Sequence, residues 1–175
     1  NDAHTENELF TPLGVYGQSK AAGDTAVAYG APQHYIVRTS WVIGDGKNFV
    51  GTMKSLAEKD VKPSVVSDQI GRLTFTQDLA AAISHLLTTK SPFGTYNLSN
   101  DGEPTSWANI AAEVYEQSGK SRDDVTPVTT QEYYAGKDGI APRPLQSTLD
   151  LAKIKATGFA PREWKQALRE YLENQ

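Results

Sequence analysis

The chain has 175 residues, enough to enclose a hydrophobic core of its own. Lysine and arginine total 17 against 21 acidic residues, a formal net charge of −4 with no long block of one sign, which is not the electrostatic footprint of a nucleic-acid binder or of a protein held to an anionic membrane. At 38% apolar and 22% charged residues it reads as a soluble globular protein without the ~20-residue apolar run of a membrane helix, and the lack of cysteine excludes disulfides, a thiol nucleophile and a sulfur-ligated metal.

Asn1 is not an initiator methionine, and the polar stretch Asn1 to Thr11 reads as a surface loop, so the expectation is a piece of a longer polypeptide that begins mid-domain. Nothing at the N-terminus has the charged-then-apolar plan of a signal peptide, and a cytoplasmic location is expected.

Thr11-Pro12 is a helix-start signal and Gly30 a stop, predicting a first helix over Pro12 to Tyr29. Tyr35 to Ile43 is β-branched and aromatic at both parities, as in a parallel strand covered on both faces, and Gly44-Asp45-Gly46 ends it. Phe49, Val50, Met53, Leu56 and Ala57 recur at helical spacing over Asn48 to Lys59. Ser64 to Val66 is a short strand and Ser67 to Thr74 a polar loop, after which Thr76 caps a helix carrying Leu79, Ile83, Leu86 and Leu87. Gly94 to Ser99 is the next strand, and Ser106 caps a helix that turns Trp107, Ile110, Ala111, Val114 and Tyr115 inward. Beyond Gly119 the pattern loosens into a strand at Val125 to Thr129, a loop at Gly136 to Leu145, a short helix from Asp150 to Ala156 and a closing helix through Trp164, Leu168 and Leu172. The expected fold is α/β, an open, doubly wound parallel sheet with helices on both faces and a smaller, mixed C-terminal lobe.

Tyr16 and Lys20 stand four apart near the start of the first helix and so share a face. An ammonium beside a phenol favours phenolate, the property required of a proton donor and acceptor for an alcohol/ketone pair. Trp41 lies at the C-terminal end of a predicted parallel strand, where open α/β sheets place ligands. His4, His34 and His85 lack ligand spacing and no metal site is expected; Trp107 and Trp164 have the spacing of packing residues.

The segment Pro12-Leu13-Gly14-Val15-Tyr16-Gly17-Gln18-Ser19-Lys20-Ala21-Ala22-Gly23-Asp24 resembles the catalytic helix of extended short-chain dehydrogenases/reductases, P-x-x-x-Y-x-x-(S/T)-K-x-x-x-E with aspartate for the last glutamate. Arg38-Thr39-Ser40-Trp41-Val42, Asp68-Gln69-x-Gly71-x-x-Thr74 and Pro142-Arg143-Pro144-x-x-Ser147-x-Leu149-Asp150 extend the likeness to the dTDP-4-dehydrorhamnose reductases, from about Glu6 to the closing helix. Arg72-Leu73 stands where a proline is commoner before Thr74, and Asp45-Gly46 modifies the turn after the tryptophan strand.

The resemblance implies NADPH (or NADH) as hydride donor to the C4 ketone of a dTDP-sugar, for cell-wall polysaccharide. Tyr16 matches the proton donor, Lys20 the lysine that holds the nicotinamide ribose, and Trp41 the residue that packs on the deoxysugar. Asn48, Gln69, Thr74 and Arg143 match positions lining the substrate side. The family's glycine-rich pyrophosphate loop has no counterpart here, and its catalytic Ser/Thr would lie upstream of Asn1. The chain is therefore expected to be the C-terminal, catalytic-helix and substrate-binding portion over 1–175. Alone it should bind no cofactor and should self-associate through uncovered sheet and helix surfaces. Compatible partners are an epimerase, fused or associated, and a second copy of the chain. Two alternatives stay open: a nucleotide-sugar epimerase or dehydratase, and a non-catalytic subunit resembling the regulatory subunit of methionine adenosyltransferase.

Overall fold

A computed structural model describes residues 3–174. In chain order the elements are α1 (Val15–Gly30), β1 (Tyr35–Thr39), β2 (Val42–Ile43), α2 (Phe49–Glu58), β3 (Ser64–Val66), β4 (Ile70–Gly71), β5 (Thr74–Phe75) and α3 (Thr76–Thr88). There follow β6 (Gly94–Leu98), β7 (Thr105–Ser106), α4 (Trp107–Gln117), a 3₁₀ turn (Arg122–Asp124), β8 (Thr126–Val128), α5 (Thr130–Tyr134), α6 (Ala152–Ala156) and α7 (Trp164–Glu173).

β1 pairs in parallel with β6, Val37 opposite Tyr96 and Arg38 opposite Asn97. Alternate residues of a strand face opposite ways. Tyr35, Val37, Tyr96 and Leu98 accordingly meet Leu79, Ala82 and Leu86 of α3 and Leu151 and Ile154 beside and within α6, forming one core. The other face carries Arg38, whose Nε donates to Asp24 of α1 at 2.7 Å, and Asn97, whose amide nitrogen Nδ2 donates to the His4 carbonyl. Helices thus lie on both faces, the doubly wound arrangement expected. α1, however, buries no residue, and Val15 and Tyr29 stand 81% and 89% exposed.

The second core belongs to the lobe. Val50, Met53 and Ala57 of α2 meet Ile110, Ala111, Val114 and Tyr115 of α4, with Trp164 and Leu168 of α7 closing the cluster. Its strands are short pairs: β2 with β5 and β3 with β8 in parallel, β4 with β7 antiparallel.

The structure departs from the expected elements at several places. α1 begins at Val15, capped by an extended Gly14, because Pro12 folds under the first turn; an added Cβ on Gly17 would come 3.1 Å from the Pro12 Cβ. The long strand of Tyr35 to Ile43 breaks at Ser40-Trp41, where Trp41 adopts a φ of +49°. The polar loop before Thr76 contains β4 and β5, and Thr76 is the first residue of α3 rather than its cap. α5 forms inside the loosened region on a capping box, in which the Thr129 hydroxyl accepts from the Glu132 amide while Glu132 receives the Thr129 amide.

A polar network joins the two cores. The buried Asp78 carboxylate receives Arg162 Nε at 2.6 Å, Arg162 Nη2 at 3.0 Å and Asn100 Nδ2 at 2.8 Å, and Asn100 Oδ1 accepts the Phe75 amide at 2.8 Å. The hydrogen bonds to Asp78 push the Arg162 pKa above its ordinary value, against the opposing pull of burial. Asp78→Ala leaves the buried Asn100 amide with the Arg162 carbonyl alone and takes two hydrogen bonds from the Arg162 guanidinium. It is expected to destabilise the fold by about 1–3 kcal/mol. Denaturant unfolding would register this as a lower midpoint at unchanged slope, and a parental midpoint would exclude the network as a support of the fold.

Candidate active site

Four segments converge where β1 ends. Trp41 lies just past the strand, and its carbonyl accepts the Thr74 amide at 3.0 Å. The Ser40 hydroxyl donates to the Ser147 carbonyl at 3.2 Å, bringing in the segment that follows Arg143. Ile70 donates to the Leu145 carbonyl and accepts from the Ser147 amide, tying that segment to the loop Ser67 to Thr74. Pro142 comes within 4.0 Å of an added Cβ on Gly14, at the foot of the helix that carries Tyr16. The tyrosine–lysine helix and the three other motifs therefore surround one end of the strands.

Tyr16 is 77% exposed and Lys20 is exposed, one turn along the same helix. Among the described residues, neither the Tyr16 hydroxyl nor the Lys20 ammonium is engaged in a hydrogen bond or ion pair, while Ser19 donates to the Tyr16 carbonyl. Both groups therefore have their bonding capacity available to a ligand.

The Trp41 indole is half-buried. Trp107 stacks on it with ring centroids 4.0 Å apart and planes at 22°, and Phe49 leans on Trp107 at 4.5 Å. The Gly71 backbone lies against the same indole, where an added Cβ would stand 3.0 Å from Cε2 and Cζ2. Trp107, read from its spacing as a packing residue, packs against the lobe core and also stacks on Trp41; Trp164 is buried in that core, its Nε1 donating to the Glu103 carbonyl.

Of the remaining sequence-predicted positions, Asn48, Gln69 and Thr74 are committed within the protein and Arg143 is not. Asn48 caps α2, its Oδ1 accepting from Gly51 and its Nδ2 donating to the Gly44 carbonyl and the Tyr171 hydroxyl. Gln69 is buried and donates to the Thr130 hydroxyl at 3.1 Å. Thr74 is fully buried and its hydroxyl donates to the Ser40 carbonyl at 2.7 Å. Arg143 is exposed on the loop that joins α5 to α6. Arg72 is buried, and its guanidinium bridges Asp101, the Gly102 carbonyl and the Leu149 carbonyl, holding the loop against the far end of the Pro142 segment. The Gly44 and Gly46 carbonyls accept from Asn48 Nδ2, and Gly44 packs against Thr76. A polar cavity of about 310 Å³ lies between Asp45, Thr76, Arg162, Glu170 and Tyr171, and none of the predicted site residues lines it.

The profile of the RmlD substrate-binding domain matches residues 1–175. The chain belongs to this family. A spore coat polysaccharide biosynthesis protein, SpsK of Bacillus subtilis, is 41% identical over 97% of the chain and 58% of its own length. The crystal structure of a dTDP-4-dehydrorhamnose reductase from Clostridium acetobutylicum superposes with a TM-score of 0.88 at 35% identity, covering 99% of the chain and 60% of that structure. A reductase of the same name from Bacillus anthracis, solved in complex with NADP, gives 0.87 at 34% identity, with 99% and 60% covered. This member of the RmlD family therefore spans about three-fifths of the length of the relatives it matches. Its fold is that of the Rossmann-like reductases.

Asp68, the first residue of the quoted loop motif, anchors α5 beside the site through Thr130, to which nothing in the sequence pointed. Asp68 accepts both the amide and the hydroxyl of Thr130, at 2.9 and 2.6 Å. Burial alone would push the Asp68 carboxyl up, but the two Thr130 bonds outweigh it and hold the pKa below its ordinary 3.8. A depressed carboxyl contributes stability that is present above its unfolded pKa and lost as pH falls through the folded one. The α5 anchor is therefore expected to loosen only as the pH drops below about 3.8. The protection of the Thr130 amide against hydrogen exchange, corrected for the intrinsic pH dependence of exchange, checks this across that range; Asp68→Asn should remove the fall in protection, and an unchanged profile would place the titration elsewhere.

Proposed function

We propose that the chain is the catalytic-helix and substrate-binding portion of an NADPH-dependent reductase that converts the C4 ketone of dTDP-4-dehydro-L-rhamnose into the alcohol of dTDP-L-rhamnose. The observation that carries this reading is the convergence of the Tyr16 helix, Trp41, the Gln69 loop and the Arg143 segment at one end of the strands. The reductases named among its relatives and the NADP held by one of them support it.

The exposed, unengaged Tyr16 and Lys20 suit the ribose end of a nicotinamide cofactor. NADPH, when bound, supplies the hydride. Lys20 would hold the ribose hydroxyls. Tyr16 gives its phenolic proton to the C4 oxygen as negative charge develops there. Trp41 offers the sugar the part of its indole that Trp107 and Gly71 leave uncovered, and Arg143 lies free to meet the diphosphate. Asn48, Gln69 and Thr74 act on the substrate through the segments they fix. Engagement of a dTDP-sugar, an associated epimerase and a second copy of the chain belong to the same reading.

In the full-length enzyme, Tyr16→Phe keeps the ring and removes the acid, so kcat should fall by ~10²–10⁴ while cofactor affinity holds. Lys20→Met should lower both turnover and cofactor affinity. Steady-state NADPH oxidation with dTDP-4-dehydro-L-rhamnose, together with cofactor titration, measures both variants. Parental turnover by Tyr16→Phe would exclude Tyr16 as the acid, and a parent without turnover would give the lead to the non-catalytic subunit.

A further inference from the structure

We infer that Thr74 is the positioning residue for Trp41: its hydroxyl and its amide together clamp the strand break that aims the indole. The inference rests on the reading above only in assigning Trp41 to the sugar.

A bulky residue with positive φ is a genuine outlier, and such a conformation persists only when its surroundings over-determine it. Trp41, at +49°, is in that state in the middle of a segment otherwise suited to a continuous strand. Three contacts hold it. Thr74 donates from its amide to the Trp41 carbonyl at 3.0 Å and from its hydroxyl to the Ser40 carbonyl at 2.7 Å, so one residue grips the carbonyls on both sides of the Trp41 Cα. Gly71 leaves room for the indole beside its backbone, and Trp107 stacks on it. The amide bond is ordinary ladder pairing of β2 with β5. The hydroxyl bond is not, and it falls on the peptide just before the outlier.

Thr74 is itself immobile. It is fully buried, and its neighbours are pinned through Asn100, which donates its amide to the Leu73 carbonyl and accepts the Phe75 amide. A fixed donor therefore acts on a strained acceptor. Without the hydroxyl, the Ser40–Trp41 peptide is free to rotate toward the extended conformation, which would carry the indole off Trp107 and Gly71. Thr74 touches the substrate nowhere in this scheme; it acts through Trp41.

The test uses Thr74→Val, which preserves the branched shape and removes the hydroxyl, and Thr74→Ser, which restores it. Nuclear magnetic resonance of tryptophan-labelled protein reads the ring-current shift that Trp107 imposes on the Trp41 indole, with Trp41→Phe for assignment and Trp164 as internal control. Thr74→Val should lose that shift with Trp164 unmoved, and Thr74→Ser should recover it. A retained Trp41 shift in Thr74→Val overturns the inference. Should Thr74→Val fail to fold, Trp41→Gly/Thr74→Val decides the matter, because glycine holds a positive φ without a clamp. Recovery of folding in the double variant supports the clamp, and its failure makes the hydroxyl a general core bond and overturns it. Kinetics of the full-length enzyme separate this inference from the reductase reading. A KM for the dTDP-sugar raised on the order of tenfold at near-parental kcat links the aimed indole to the substrate. A lost ring-current shift with unchanged KM leaves the clamp standing and removes Trp41 from the sugar site.

Discussion

The left-handed backbone at Trp41 is the constraint on which the rest of the molecule turns. Upstream of it the chain runs as β1 in the larger parallel pair with β6; downstream it runs as β2 against β5, in the lobe. A continuous strand from Tyr35 to Ile43 would have carried the chain straight on, leaving Val42 and Ile43 no separate partner. The break costs about 1–3 kcal/mol of backbone strain. Stacking of two indoles and burial of Thr74 offset it, and the chain acquires a junction between two cores with an aromatic side chain standing in it.

Around that junction the bonding is polar and long-range. Ser40 reaches Ser147, Ile70 reaches Leu145 and Ser147, Gln69 and Asp68 reach Thr130, and Arg72 reaches Leu149. Segments that carry little apolar surface are thus tied down by hydrogen bonds to one another, while the apolar clusters behind them hold the scaffold. This division suits a site for a polar, many-hydroxylated ligand: the walls are rigid, yet Tyr16, Lys20 and Arg143 keep exposed polar groups.

Helices were legible in the sequence wherever apolar spacing and a cap coincided, as in α2 behind Asn48 and α4 behind Ser106. The strand break was not, because tryptophan favours extended structure locally and its positive φ is imposed by partners thirty or more residues away. β4, β5 and β7 have two residues each, too few for any alternation to show. α5 carried a legible signal in Thr129-Thr130-Gln131-Glu132, a capping box without an apolar run behind it. In the site, the shared face of Tyr16 and Lys20 follows from helical geometry alone. The commitments of Asn48, Gln69 and Thr74 do not, since residue type records what a side chain can bond and not which distant carbonyl or hydroxyl it meets.

The attachment of α1 differs in kind from that of the other long helices. Where α2, α3, α4 and α7 sit on apolar cores, α1 is moored to its strand by the Arg38–Asp24 pair, with both side chains about a quarter exposed. Arg38 in turn is braced by the Glu6 carbonyl and lies over the Phe10 ring at 4.7 Å. A charge-assisted hydrogen bond is directional, whereas apolar burial is not. The pair therefore sets the angle at which α1 lies against β1, and with it the direction in which the face bearing Tyr16 and Lys20 looks.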